Sequence, residues 1–125
     1  MTTLAQKIIA KASNHPSAKV GEVVVCAVDL AMRHDSGGPR RVKPILEKMG
    51  RSVWDTNRVA VVTDHYVPIE GEETRAIQEL TREWVLEQDI KNFYDQQGIC
   101  HVVLPERGHL SPGMFCVGGD SHSPT

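Results

Sequence analysis

Several features that would settle the class of a protein at a glance are missing from these 125 residues. No apolar run approaches the ~18 residues that a membrane-spanning helix needs. The first residues, Met1-Thr2-Thr3-Leu4-Ala5-Gln6-Lys7-Ile8-Ile9, lack the long apolar stretch and small-residue cleavage site of a secretory signal. The cysteines number only three, Cys26, Cys100 and Cys116, and no two form a C-x-x-C pair. An odd, widely spaced set does not make a disulfide framework or a zinc ribbon, and it reads as reduced, mostly buried thiols. There is no charge excess either. Fourteen basic and sixteen acidic residues leave a net charge of −2, which excludes an electrostatic case for nucleic acid or an anionic membrane as partner. Internal repeats, low-complexity segments and long linkers are also missing. Together these absences lead to the expectation of a soluble, cytoplasmic protein.

What is present is an ordinary globular composition, 40% hydrophobic and 24% charged, in a length that suits one domain over residues 1–125. Leu4 to Ala12 places Leu4, Ile8 and Ile9 on one side of a short amphipathic helix, and Asn14-His15-Pro16-Ser17 stops it. The β-branched run Glu22 to Val28 reads as a buried strand. Val42, Ile45, Leu46 and Met49 have helical spacing, with Gly50 at the C-cap. Val59 to Val62 reads as a second strand and Glu72 to Ile90 as the clearest helix, with Ile77, Leu80, Trp84 and Val85 on one face. Met114 to Val117 reads as a third strand, closed by Gly118-Gly119. Trp54 and Trp84 are expected to be core or interface anchors. Strands alternating with helices predict an α/β fold, three-layer αβα, with a largely parallel sheet.

The chemistry collects at one kind of position. Each strand-like run leads to an acid and a histidine: Arg33-His34-Asp35 after the first, Thr63-Asp64-His65 after the second, and Gly119-Asp120-Ser121-His122 after the third. Ligands of open α/β sheets bind beyond the carboxyl ends of the strands, so parallel strands would bring these groups to one edge. His101 follows Gly98-Ile99-Cys100. An Asp–His pair supplies a general acid near neutral pH or fixes the tautomer of a metal ligand. Any one such pair is more often a surface or capping feature; three, each after a strand, are not easily explained that way. Ser121 offers a hydrogen bond to a substrate, with no arrangement that marks a nucleophile. His15 and His109, in loops flanked by proline or glycine, read as solvated. Ser36-Gly37-Gly38-Pro39-Arg40-Arg41 matches neither G-x-x-x-x-G-K-S/T nor G-x-G-x-x-G, and its arginines read as a solvated first turn rather than a carboxylate clamp.

At these residues the sequence resembles the 3-isopropylmalate dehydratase large subunits of the aconitase superfamily. The resemblance rests on five blocks: Val28 to Asp35, Val62 to Pro68, Ile90 to Asp95, Gly98 to Glu106, and Pro112 through His122. It implies an aconitase-type N-terminal domain, present in part, and a hydro-lyase that removes and re-adds water on a small hydroxy-dicarboxylic acid such as isopropylmalate, of the leucine-biosynthesis type. By the same resemblance His65, oriented by Asp64, protonates the leaving hydroxyl. Asp120 partners His101, His122 lines the site, and His34, Asp35 and Ser121 lie on the substrate side. The family's 4Fe–4S cluster is held by three cysteines in later motifs, which Cys26, Cys100 and Cys116 do not occupy, so none of these residues is expected to bind metal. The resemblance further implies a small subunit or remaining domains as partner, and an N-terminal segment that is inactive alone. Two other readings stand beside it. One is a stand-alone metal-dependent hydrolase with His34, Asp64, His65 and His122 as ligands, although no two histidines have i, i+4 spacing. The other is a non-catalytic piece that complements other chains and exposes apolar surface where they pack.

Overall fold

The computed structural model describes residues 2–123. Along the chain run α1 (Leu4–Ala12), β1 (Leu30–His34), α2 (Pro39–Met49), a single 3₁₀ turn at Thr56–Arg58, β2 (Val59–Thr63), α3 (Gly71–Glu87), β3 (Asn92–Asp95), α4 (Cys100–Glu106) and β4 (Cys116–Gly118). The four strands form one parallel sheet in the order β3-β2-β1-β4. No helix is long and apolar enough to cross a membrane.

Local chemistry accounts for most of the helix ends. Thr3 caps α1 through a reciprocal box: its hydroxyl accepts from the Gln6 amide at 3.2 Å, and the Gln6 side chain accepts from the Thr3 amide at 3.0 Å. Pro39 sits in the first turn of α2, where the missing N–H costs nothing, and Gly50 ends that helix at φ 60°, a left-handed conformation that suits glycine. Glu72 and Glu73 stand in the first turn of α3, where the helix dipole favours them.

Alternation along the strands divides the core into two layers. Leu30, Met32, Ala60 and Val62 pack on one face against Cys100 and Leu104 of α4, with Tyr94 and Met114 beside them. Val61 faces the other way, onto Trp84, Val85 and Ile90, with Val42, Leu46 and Phe93 closing that side. A Lys43–Glu87 ion pair at 2.7 Å ties α2 to α3 over this second layer. The α/β fold with a parallel sheet and helices on both faces is the one expected from the strand–helix alternation.

Several local expectations are corrected. Glu22 to Val28 is not a buried strand: it is irregular and has no sheet partner among the described residues, and Val23 and Val25 are 96% and 90% exposed. β-Branched side chains favour an extended backbone, but a strand also needs a neighbour. The central place between β2 and β4 is taken by Leu30–His34. Two elements escaped the pattern: β3, four half-buried residues at the sheet edge, and α4, a seven-residue helix with Pro105 inside it. β4 begins at Cys116 rather than Met114, and α3 ends at Glu87 rather than Ile90. Trp84 is a core residue at 2% exposure, whereas Trp54 is 92% exposed and anchors nothing within the chain. Of the three free cysteines only Cys100 is buried, while Cys26 is half-buried and Cys116 exposed. His109 is half-buried and bonded to the Tyr94 hydroxyl rather than solvated.

Candidate active site

All four strands deliver chemistry to their carboxyl ends. His34 closes β1, Asp64 and His65 follow β2, the turn after β3 leads to Cys100 and His101, and Asp120 to His122 follow β4. Because the strands are parallel and in register, residues scattered over 89 positions share one edge. A cleft of about 240 Å³ there is lined by Asp64, His65, Ile99, Cys100, His101, Asp120 and His122.

Two carboxylate–imidazole pairs face this cleft. His65 Nδ1 lies 2.6 Å from Asp64 Oδ1, and His101 Nε2 lies 2.6 Å from Asp120 Oδ2. Both acids are nearly enclosed, with side-chain exposures of 6% and 5%, while their histidines are 37% and 36% exposed. Each pair therefore has a fixed inner end and an accessible outer one. His122 stands third, 78% exposed, its Nδ1 3.7 Å from Asp120 Oδ2 and its ring edge-on to His101 at 6.2 Å. Ser121 bonds His122 Nδ1 at 3.1 Å and lies outside the residues lining the cleft.

The electrostatics keep the two acids ionised. Burial pushes Asp64 up, but the Cys100 amide at 2.6 Å and the His65 ring outweigh it, and the net shift is down. Burial acts on Asp120 in the same sense. Hydrogen bonds from Ser123, His101 and the His122 backbone overcome it and hold this carboxyl well below the usual range. Cys100 goes the other way. Burial, a hydrogen bond to Asp64 and the neighbouring negative charges push its thiol up to about 12.

His34 and Asp35 lie beneath the cleft rather than on its surface. His34 is 2% exposed; its ring stacks on His65 with centroids 4.1 Å apart and planes at 19°, and its Nδ1 meets Ser36 Oγ at 2.9 Å. Among the described residues His34 Nε2 has no hydrogen-bond partner. Asp35 is fully buried, and its two oxygens accept from the amides of Ser36, His65 and Tyr66 at 3.0–3.1 Å and from Gln78 Nε2 at 2.6 Å. Those four bonds tie β1, the loop after β2 and α3 together directly under His65. Sequence reasoning missed this hub, because nothing around Gln78 sets it apart from an ordinary helical glutamine. It also missed a second brace, in which Arg82 bonds Asp95 at 2.7 Å and Asp95 accepts from Thr63 at 2.8 Å.

At β4 the glycines have a steric reason. A Cβ on Gly118 would lie 1.7 Å from Ser123 Oγ, the hydroxyl that donates to Asp120. The turn that aims Asp120 at His101 therefore needs a residue without a side chain.

The three cysteines do not fit a three-thiolate cluster. Cys26 contacts the Ile9 carbonyl of α1, Cys116 opens β4, and Cys100 begins α4. Among the described residues no group of three or more converging metal-ligating side chains contains two cysteines. The ligand quartet of the hydrolase reading is not assembled either: His34 and His65 group with Asp35, apart from His122.

An α/β sheet that gathers carboxylate-oriented histidines at the carboxyl ends of its strands is chemically capable of moving protons there. The chain belongs to the aconitase family (aconitate hydratase), whose model matches residues 6–125. It is 46% identical to the 3-isopropylmalate dehydratase large subunit 1 of Methanopyrus kandleri, over 98% of this chain and 29% of that protein. It is 42% identical to a probable 3-isopropylmalate dehydratase large subunit of Methanothermobacter thermautotrophicus, over 98% and 30%. A probable methanogen homoaconitase large subunit from the same organism is 41% identical over the same shares. The chain thus spans about 30% of the length of the curated relatives it matches.

Proposed function

We propose that this chain supplies the histidine–aspartate half of a hydro-lyase site acting on a small hydroxy-dicarboxylic acid of the isopropylmalate type. The observation that carries the reading is the pair of 2.6 Å contacts, Asp64–His65 and Asp120–His101, opening on one cleft. Removing water from a hydroxy acid requires a proton for the leaving oxygen. A half-exposed imidazole fixed from behind by an ionised carboxylate delivers one with little reorganisation. His65 takes this role, with Asp64 fixing its Nδ1. His101, His122 and Asp120 form a second proton-handling group across the cleft, Ser121 offers a hydroxyl at the rim, and His34 supports the His65 ring from beneath. Asp35, with its oxygens fully occupied, positions the loop that carries His65 rather than touching substrate.

The 4Fe–4S cluster of the family would be held by cysteines other than Cys26, Cys100 and Cys116. The names of the relatives support a small-subunit partner and leucine biosynthesis as the setting. The homoaconitase relative supports a broader class that includes longer polycarboxylates. Three free thiols suit a reducing cytoplasm. On this reading residues 1–125 act as an N-terminal segment whose remaining domains lie on further protein. The exposed Val23, Val25, Trp54 and Leu86 support the related reading of a piece that complements other chains.

A chimaera tests the proposal. Residues 1–125 replace the matching segment of the Methanopyrus large subunit, which is assembled with its small subunit under anaerobic cluster reconstitution. The chimaera is expected to interconvert 2- and 3-isopropylmalate, and His65→Gln or His101→Gln to lower kcat about 100-fold or more. A cluster-loaded, active chimaera indifferent to both substitutions refutes the assignment.

A further inference from the structure

We propose that Cys100, His101 and Asp120 form a mononuclear binding site for a divalent cation of the zinc class, separate in kind from any three-thiolate cluster. The ligand atoms of the three residues lie within 4.8 Å of one another. Tetrahedral zinc, with bonds of about 2.0–2.3 Å, holds its ligands roughly 3.3–3.8 Å apart, so small side-chain rotations close the set. His101 has that freedom, being more than a third exposed, whereas Cys100 is fully buried at the start of α4 and provides the fixed end. Two further ligand-type side chains, His122 and Asp64, line the same cleft. His122 Nδ1 is 3.7 Å from Asp120 Oδ2.

Charge and donor type favour a single borderline-soft ion. Two carboxylates, Asp64 and Asp120, line the cleft beside the thiol, and Asp64 Oδ2 lies 2.6 Å from the Cys100 amide. One sulfur, imidazole nitrogen and carboxylate oxygen together match zinc or cobalt(II) and suit calcium or magnesium poorly. Binding is an exchange without redox change. The Cys100 S–H bond breaks as the sulfur–metal bond forms and its proton passes to solvent, while His101 binds as a neutral imidazole that keeps its one proton on the other ring nitrogen.

The other converging group, His34, Asp35 and His65, is a poorer host. Its two rings are stacked 19° from parallel, which points their in-plane lone pairs side by side rather than at one ion. The Asp35 oxygens are already filled by four protein donors. A metal on Cys100, His101 and Asp120 would withdraw the second proton-handling group. That consequence, inhibition of hydration by the bound ion, rests on the hydro-lyase reading; the binding itself does not.

Anaerobic titration of the 125-residue chain with cobalt(II) decides the matter without any activity assay. The variant used is Cys26→Ser/Cys116→Ser, which leaves Cys100 intact as the only thiol. The expected result is a near-ultraviolet thiolate-to-cobalt charge-transfer band that saturates at one ion per chain and is abolished by stoichiometric zinc. In the same background His101→Gln and Asp120→Asn are each expected to weaken cobalt binding at least about tenfold. No charge-transfer band in the single-thiol chain overturns the site. A band that ignores both substitutions overturns it equally, because the cobalt is then held elsewhere on the thiol.

Discussion

The two histidine groups at the sheet edge are built to opposite plans. On the β1–β2 side, His34 and Asp35 are buried, the Asp35 oxygens are consumed by four donors from three segments, and only His65 reaches solvent. On the β4 side the carboxylate of Asp120 is enclosed, yet His101, on α4, and His122, on the turn after β4, are both open. One group is a braced wall with a single working tip. The other is an open set with two exposed imidazoles. A buried carboxylate held by four donors from three segments keeps its geometry, whereas partly exposed imidazoles can move toward a ligand.

The contrast is broken most severely at Asp35. Asp35→Asn turns an amide donor toward backbone N–H groups that now find an acceptor, and the expected loss of stability is about 3–5 kcal/mol, read by urea denaturation. Gly118→Ala comes next. Its methyl meets Ser123 within the turn, and about 1–3 kcal/mol is expected to be lost together with the Asp120–His101 contact, visible as a change in His101 ring shifts by NMR. Asp120→Asn is expected to cost about 1–2 kcal/mol at neutral pH, because the enclosed carboxylate that Ser123, His101 and the His122 backbone hold loses its charge.

The smallest effect is in the acid range, and its sign follows from the carboxylates. Asp64, Asp95 and Asp120 all have folded-state pKa values below their ordinary value near 3.8. Each thus contributes stability that is present above that value and is lost as pH falls through the depressed one. Stability should therefore be flat from neutral pH down to about 5 and decline below about 4. Asp120→Asn should flatten the β4-side share of that decline, as measured by denaturation midpoints against pH. A decline that begins near pH 6 would assign acid sensitivity to histidines instead.

Much of this site was legible before any coordinates. Acid–histidine couples after strand-like runs marked Asp64–His65 and Asp120–His122, and the position rule for parallel sheets placed them at one edge. The five blocks then supported the pairing of His101 with Asp120. What could not be read was which groups are spent internally. His34 and Asp35 look like His65 and Asp64 in one dimension, and only the four donors around Asp35 and the stacked ring show that they serve the wall. The failures in the fold have a similar origin. Val23 and Val25 carry strand-forming side chains without a neighbour to pair with, while β3, with Asn92 and Asp95 at its ends, becomes a strand because β2 offers it an edge.

Local chemistry written in the sequence determined the capping of α1, the ends of α2, the buried stripe of α3, the α/β class and the residue types that stand after the strands. Each depends on a residue's own conformational preferences or on neighbours three or four positions away. Tertiary structure alone decided that Cys100 joins His101 and Asp120, that Asp35 is a hub, and that Trp84 is core while Trp54 is not. Those outcomes depend on which surfaces meet across the sheet, and spacing along one chain does not encode that.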